Sequence, residues 1–223
     1  MKKTDCDLNT CFFCRGCSKE WLDLTRLKKQ SFLLKKHEQL IKEGAAVTGM
    51  YFMLSGAVKV HKRWGEKELI IRFATKGDVL GVRGFGDSVY RISATTLDDS
   101  RICFIPDDHI KASLHIHPAL SYKLMQYYAT ELSSAENRMS DLAHRDVKGR
   151  VAEALLKVHN IFGEDRDHFL QIALSRQDIA AYAGTTYETV FKIFTEWIAL
   201  GWIKTDGKRI QVRSKKNIQS CIV

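Results

Sequence analysis

The segment from Ser175 to Ile203 carries the strongest structural signal in the sequence: two short amphipathic helices separated by a glycine. Ser175 and Asp178 have the spacing of a capping box, which starts a helix by satisfying free backbone N–H groups. Gly184 can adopt the positive φ that a tight turn between helices needs. Thr185 and Glu188 then repeat the start signal. The pattern predicts a helix-turn-helix, and an ordinary helical hairpin with solvated charges is the alternative.

The second predicted helix has two different sides. On the opposite side from its apolar stripe lie Glu188, Lys192 and Thr195, and Phe191 lies at their edge. Because the first turns of the second helix contact base edges in a helix-turn-helix, this polar side predicts a DNA reader. The apolar stripe has four residues at helical spacing: Val190, Ile193, Phe194 and Trp197.

Each exposed residue on this helix suits a particular partner on DNA. Glu188 can accept from cytosine N4, Lys192 can donate to guanine O6 and N7, and Phe191 can meet a thymine methyl. Ser175, Arg176 and Gln177 open the preceding helix, where we expect phosphate contacts. The predicted DNA-binding residues are Ser175, Arg176, Gln177, Thr186, Tyr187, Glu188, Phe191 and Lys192.

A β-hairpin is predicted directly after the helix pair. Residues 202–205 and 208–213 flank an Asp206-Gly207 turn, so they read as the wing of a winged helix. The chain has a net charge of +9, which favours polyanionic partners. A solvated basic face is the alternative to phosphate contact. Much of the charge lies on or beside the hairpin: Lys204, Lys208, Arg209, Arg213, Lys215 and Lys216.

The 223 residues suffice for two small domains. No apolar run approaches the length of a membrane span, and the start MKKTDCDLNTC has no apolar core of the kind found in signal peptides. We therefore expect a cytoplasmic protein.

The sequence pattern of residues 21–39 predicts a helix, and from there to Pro106 the pattern changes to short β-rich runs. Several short strands with frequent turns predict a small barrel or jelly roll, and hence an α+β chain. The expected strands are 49–54, 56–60, 68–73 and 101–105.

Residues 119–144 contain neither glycine nor proline and predict one amphipathic helix of roughly 39 Å. Such a length exceeds either neighbouring domain, so we expect a coiled-coil seam with a second copy of the chain. A long helix lying on its own domain is the alternative. The expected dimer contacts are Leu120, Leu124, Tyr128, Leu132, Ala135, Met139 and Leu142.

Four of the six cysteines lie in the first 17 residues, as Cys6, Cys11, Cys14 and Cys17. In a cytosolic chain such clustering indicates metal or redox chemistry before disulfides. Four thiolates could hold zinc. A thiol redox enzyme using Cys11-x2-Cys14 would need a βαβ context, which the sequence does not show.

Three strings resemble the CRP/FNR family of bacterial transcription regulators, over about 200 residues: 76–81 in the β-roll, 147–156 after the long helix, and 175–192 in the helix-turn-helix. The resemblance implies a non-enzymatic homodimer that binds a palindromic promoter site and meets RNA polymerase. It also implies four segments: a cysteine-rich arm (1–20), a β-roll sensor domain like the cyclic-nucleotide-binding fold (21–117), a dimerisation helix (118–145), and a winged helix-turn-helix domain (146–223).

The family also bears on the signal. Members that bind cyclic AMP carry a glutamate where this chain has Val82, and an adjacent Arg-Ser where it has Arg91-Ile92-Ser93. Without the ribose acceptor we expect no cyclic AMP binding, although Arg83 or Arg91 could still meet another anion.

The oxygen-sensing branch of the family holds an iron–sulfur cluster on three N-terminal cysteines and one from the β-roll. Residues 102–106, Ile-Cys-Phe-Ile-Pro, resemble that internal site. The expected ligands are Cys11, Cys14, Cys17 and Cys103, with Cys6 in reserve, although the N-terminal spacing departs from the family pattern. A zinc site, no metal, or another small ligand in the β-roll are the alternatives.

Overall fold

The computed structural model describes residues 11–222, apart from the side chain of Arg83. Within this range the chain forms two compact units. Residues 11–62 and 74–133 make the first unit, and residues 63–73 and 134–222 make the second. No helix in the described range combines the length and apolar character needed to cross a bilayer.

The strands of the β-roll are β1 (Gln30–Leu34), β2 (Gln39–Ile41), β3 (Gly49–Ser55), β4 (Val58–Trp64), β5 (Lys67–Ala74), β6 (Val79–Leu80), β7 (Ser93–Thr96) and β8 (Ser100–Pro106). They form two four-stranded sheets with the strand orders β1-β8-β3-β6 and β2-β7-β4-β5. The four strands expected from the sequence are confirmed as β3, β4, β5 and β8.

The sheet containing β3 and β8 covers the core of the first unit. In the antiparallel pairing of these strands Phe52 lies opposite Cys103, and Met50 lies opposite Ile105. All four side chains are buried. Two helices pack beside these strands: α1 (Lys19–Lys28) and α2 (Asp107–Ile116).

The helix expected over residues 21–39 is wrong beyond Lys28. Lys29 is extended, and residues 30–34 form β1, which pairs with β8 from Gln30 opposite Phe104 to Leu34 opposite Ser100. Leu33 is 65% exposed, so burial does not hold this strand in place. Pairing with β8, which is distant in sequence, overrides the local helical pattern.

The long helix is confirmed as α3 (Pro118–His144). Proline suits the first turn of a helix because its missing N–H would have no partner there. Helix α4 (Val147–Phe162) follows, and the side chain of Asp146 accepts a hydrogen bond from Gly149 N at its start.

The winged helix-turn-helix is also confirmed in the second unit. The apolar stripe of its second helix is buried, as predicted, with Trp197 fully enclosed. The elements are α5 (Arg176–Ala183), α6 (Tyr187–Ala199), the hairpin β9 (Ile203–Asp206) and β10 (Arg209–Val212), and α7 (Lys215–Gln219).

Candidate nucleic-acid interface and cysteine arm

Helix α5 begins with the predicted capping box. Ser175 Oγ accepts from Asp178 N at 3.0 Å, and Asp178 Oδ2 accepts from Ser175 N at 3.2 Å. The Ser175 hydroxyl also donates to Asp178 Oδ2 at 2.6 Å. The Ser175 hydroxyl is therefore occupied by the cap. Gln177 is exposed, so it is better placed than Ser175 to contact a phosphate.

The turn between α5 and α6 requires glycine for two reasons. Gly184 has φ +63°, and a Cβ at this position would lie 2.9 Å from Leu142 Cδ2. The next helix starts one residue later than the sequence indicated, because Thr186 rather than Thr185 is the N-cap. Its Oγ1 accepts from Thr189 N at 3.3 Å.

Two arginines that the sequence analysis missed hold α5 in place. Arg150 Nε, on α4, donates to Ala183 O at 2.8 Å. The Arg138 guanidinium, on α3, lies 4.0 Å from the centroid of the Tyr182 ring and donates to the Tyr182 carbonyl. These bonds satisfy carbonyls in the last turn of α5, which a helix end otherwise leaves without partners. Arg150 lies in one of the strings that carried the family resemblance, whereas nothing in the sequence marks Arg138.

The solvent side of α6 presents the predicted reading residues. Tyr187, Glu188, Phe191 and Lys192 are all exposed in the first two turns. Hydrogen bonds from its own backbone N–H and from the Thr186 side chain lower the pKa of Glu188. Glu188 is therefore ionised at neutral pH and can act only as an acceptor.

The basic residues of the hairpin divide into two groups. Lys204 and Lys208 are exposed. Arg209 instead donates to Asp165 at 2.9 Å and Asp167 at 3.0 Å. Arg209 therefore fastens β10 to the loop before α5, and the acidic partners compete with any phosphate for its guanidinium.

Within the predicted cysteine-rich arm (1–20), residues 11–17, called the cysteine arm from here on, pack into the first unit. Cys11 and Cys14 are buried in the same core as Cys103, and Cys17 packs against that core. The structure therefore gathers the four predicted ligand residues around one core. Cys6, the reserve ligand, lies outside the described residues.

The chemistry of these thiols suits a soft metal, but they are not arranged as ligands. Burial, and to a lesser extent Cys11, raises the pKa of Cys17 to about 11, so its thiol is protonated at neutral pH. A metal would have to displace that proton, since the thiolate is the ligand form. Within residues 11–222, no three His, Cys, Asp or Glu side chains are grouped closely enough to hold a metal. The donor type therefore fits a thiolate-held group, whereas the geometry of the described residues does not bring the thiols together as its ligands.

The arm also lies directly on α3. Lys123 Nζ donates to Phe12 O at 2.9 Å and lies 4.5 Å from the centroid of the Phe12 ring. Burial lowers the pKa of Lys123, with a smaller contribution from Arg15. A Cβ on Gly16 would lie 2.8 Å from Leu120 Cδ1, so this backbone touches the helix.

The predicted dimer residues fall into two sets along α3. Leu120 and Leu124 are buried in the β-roll core of their own chain, and Tyr128 OH donates to Val82 O at 2.5 Å. Leu132 and Met139 are 61% and 67% exposed. Ala135 and Leu142 are intermediate in exposure.

Met125, which the sequence analysis missed, is 68% exposed and lies seven residues before Leu132, which lies seven before Met139. A seven-residue apolar repeat is the spacing of a coiled-coil seam.

The β-roll offers no ribose acceptor at the position singled out in the sequence. Val82 is 2% exposed and belongs to the apolar core. Arg91 forms an ion pair with Asp87 at 2.8 Å on the surface. The buried hydroxyl of Tyr90 donates to Gly49 O at 2.8 Å. These side chains are committed to contacts within the fold.

A winged helix-turn-helix with an exposed polar face, joined to a β-roll by a long helix, defines a class of DNA-binding proteins. The cyclic nucleotide-binding domain model matches residues 32–117, and the Crp-like helix-turn-helix domain model matches residues 149–220. The chain belongs to the CRP/FNR family of transcription regulators, which are not enzymes.

Relatives fall in both branches of the family. The chain is 28% identical over 180 residues to a CRP-like cAMP-activated global transcriptional regulator of Mycobacterium tuberculosis, covering 79% of this chain and 80% of the relative. It is 26% identical over 215 residues to the transcriptional activator protein FnrA of Stutzerimonas stutzeri, covering 93% and 87%. The structure of FixK2 from Bradyrhizobium japonicum superposes with a TM-score of 0.76 at 25% identity, covering 87% and 98%. The two domain models establish the class of regulator, and relatives of both the cAMP-activated and the FNR type do not define its signal.

Proposed function

We propose that the protein is a cytoplasmic, homodimeric regulator that binds a palindromic promoter site and contacts RNA polymerase. The observation that carries the proposal is the exposed face of α6, with Glu188 and Lys192 one turn apart on a helix capped by Thr186. An ionised carboxylate and an ammonium at this spacing suit cytosine N4 and guanine O6 or N7. The exposed Lys204 and Lys208 and the N-terminus of α5 suit the flanking phosphates.

The dimer would form along the exposed repeat of Met125, Leu132 and Met139. Each of these side chains is more than 60% exposed in the single chain. Burial of such an apolar row by a second copy of the chain is favourable, because it removes apolar surface from water. Leu120, Leu124 and Tyr128 would act from inside, by fixing α3 to its own β-roll.

Selection of bound sequences from a random DNA pool tests this function. We expect an inverted repeat whose half-site centres lie about one helical turn apart, because a two-fold dimer presents two copies of α6. A pool that shows no enrichment, or enriches a single half-site only, would contradict the dimeric reader. The double variant Glu188→Ala/Lys192→Ala should retain salt-dependent binding to random DNA but lose the enrichment.

For the signal, we propose oxygen or redox sensing through an iron–sulfur cluster held by Cys11, Cys14, Cys17 and Cys103. Support comes from the soft donor set, the shared core and the activator relatives of the FNR type. Such a cluster, when bound, supplies reactivity towards oxygen.

We propose that α3 links the cysteine site to DNA binding. Lys123 and Leu120 hold the arm on α3, the same helix that carries the dimer row. Arg138, further along α3, holds α5. In this proposal a change in the arm shifts α3 and thereby alters DNA binding.

Zinc, or another small ligand in the β-roll, is the other candidate signal. Four thiolates would satisfy zinc as well as iron. Iron, sulfide and zinc analysis of protein purified without oxygen distinguishes these cases. Cyclic AMP is not expected, because Val82 is buried among apolar side chains; calorimetry showing micromolar cyclic AMP binding would contradict this.

A further inference from the structure

An aromatic surface lies within the reading face of α6. Phe191 is 50% exposed and Tyr187 is 42% exposed, and their rings stack with centroids 6.4 Å apart. Contiguous exposed apolar side chains can mark a surface that a partner covers. These two lie one turn apart in the first two turns of the helix, beside Glu188 and Lys192, so bound DNA would be that partner.

Arg176, from the start of α5, packs against the same aromatic surface. Its guanidinium carbon lies 5.8 Å from the ring centroids of both Phe191 and Phe194. Its Nε is buried without a hydrogen-bond partner among the described residues. The Arg176 guanidinium therefore lies against aromatic rings, and its Nε forms no hydrogen bond within the described residues. The Phe191 ring therefore has Tyr187 and Arg176 as neighbours, and half of the residue is exposed.

We propose that Phe191 selects a thymine in each half-site by contact with its C5 methyl group, and that Arg176 is a positioning residue for the Phe191 ring. This inference rests on the proposed DNA-reading role of α6. Thymine is the base that presents a methyl group in the major groove, and phenylalanine is one of the side chains that contacts it. The hydrogen-bonding edges of the other bases would gain nothing from an aromatic ring and would lose water against it.

The geometry also explains why a ring at this position would discriminate. A ring free to rotate could retreat from any base, whereas a ring packed against neighbours on two elements presents the same edge each time. Preorganisation of this kind lowers the entropy lost on binding. Arg176 keeps its charge whether or not it stacks, so replacing it with lysine preserves the charge and removes the planar contact.

The test replaces single thymines by deoxyuridine in the preferred palindrome, which removes only the methyl group. At one thymine position per half-site, we expect the dissociation constant to rise about fourfold for each methyl lost, as burial of one such group implies. For Phe191→Ala the same replacement should have no effect. For Arg176→Lys the discrimination should fall towards that of Phe191→Ala.

Ile198→Ala provides the matched control. Ile198 is 42% exposed on α6 but lies roughly 10 Å further along the helix, so its removal should leave the thymine discrimination intact. If no deoxyuridine replacement weakens binding of the parent, or if Phe191→Ala retains the discrimination, the thymine role is wrong. If Arg176→Lys keeps full discrimination, its positioning role is wrong. Failure of the parent to bind any DNA sequence-specifically would instead overturn the proposed function itself.

Discussion

The predicted DNA-reading side chains of α6 are exposed, whereas the predicted ligand side chains of the cysteine arm are buried or half-buried. Glu188 and Lys192 are exposed on a helix that hydrogen bonds within the segment fix at both ends. Cys11 and Cys14 are buried, and long-range contacts with Phe52, Cys103 and α3 surround them. The proposed DNA-reading side chains of α6 are already exposed, whereas the proposed ligand thiols are not grouped as ligands within residues 11–222.

This difference indicates which region of the molecule a signal would change. A preformed reading face changes little with conditions, because its caps and turn are local and satisfied. The buried thiols depend instead on long-range contacts with the β-roll core and α3, so a change at these thiols would alter those contacts. A signal is therefore expected to act through the arm and α3 and to leave the structure of α6 unchanged.

The largest change in free energy is expected for dimerisation through the exposed repeat of Met125, Leu132 and Met139. Leu132→Asp should weaken dimerisation by about 2–5 kcal/mol from the lost apolar contact alone, with the unpaired charge adding to this. Analytical ultracentrifugation with and without palindromic DNA measures it. Ser133→Asp adds the same charge one residue away and should leave the dimer intact. A parent protein that sediments as a monomer at micromolar concentration, or a dimeric Leu132→Asp, would contradict the proposed seam.

The next effect separates local turn geometry from packing. Gly184→Asn should lower the free energy of unfolding by about 1–3 kcal/mol, because the new side chain meets Leu142. Gly207 has a similar φ of +57° but nothing within 4 Å of its Cβ position, so Gly207→Asn should stay within about 0.5 kcal/mol of the parent. Urea denaturation followed by tryptophan fluorescence measures both variants. Equal losses at the two sites would show that Leu142 does not constrain the turn.

The reading face gives the third effect. Lys192→Ala should cost roughly 1–3 kcal/mol on the preferred site and relax base choice at one position, while random DNA binds nearly as before. Lys157→Ala removes the same charge from an exposed position on α4 and should leave base choice unaltered. Fluorescence anisotropy on specific and random duplexes distinguishes them. A Lys192→Ala protein that discriminates between the duplexes like the parent would remove α6 as the reader.

The smallest effect concerns the arm. Lys123→Met deletes the bond to Phe12 O, and one such bond contributes about 0.5–1.5 kcal/mol. Alkylation of Cys11 and Cys14 in metal-free protein should therefore accelerate roughly two- to tenfold, since the arm opens more often. Lys111→Met, on the exposed side of α2, should not change the rate. Unchanged alkylation in Lys123→Met would show that the arm does not depend on α3.

The sequence predicted the helix-turn-helix in detail because its determinants are local. Ser175, Asp178 and Gly184 act within a few residues of the backbone they fix, so spacing alone reveals them. Strand β1 was missed for the opposite reason, since its partner Ser100–Pro106 lies about 70 residues away. Its apolar residues also fitted a helical pattern.

Helix α3 was predicted to within one residue, but the roles of its side chains were not. The apolar repeat could not distinguish Leu120 and Leu124, which enter the β-roll, from Leu132 and Met139, which remain exposed. The contact of Lys123 with Phe12 has no signature in either segment. In each case the missing information is which surface the helix meets, and that depends on the rest of the fold.

The proposed coupling between the cysteine arm and DNA binding is tested most directly by the affinity for the preferred palindrome, measured anaerobically and again after exposure to air. We expect anaerobic protein to contain iron and sulfide and to show visible absorbance. In air the absorbance should bleach while the dissociation constant changes at least tenfold, in the range expected for allosteric coupling. Cys103→Ser should remove both responses and still bind random DNA. Anaerobic protein that is colourless and iron-free after cluster reconstitution, with the same DNA affinity in air, would contradict the proposed coupling between arm and reading face.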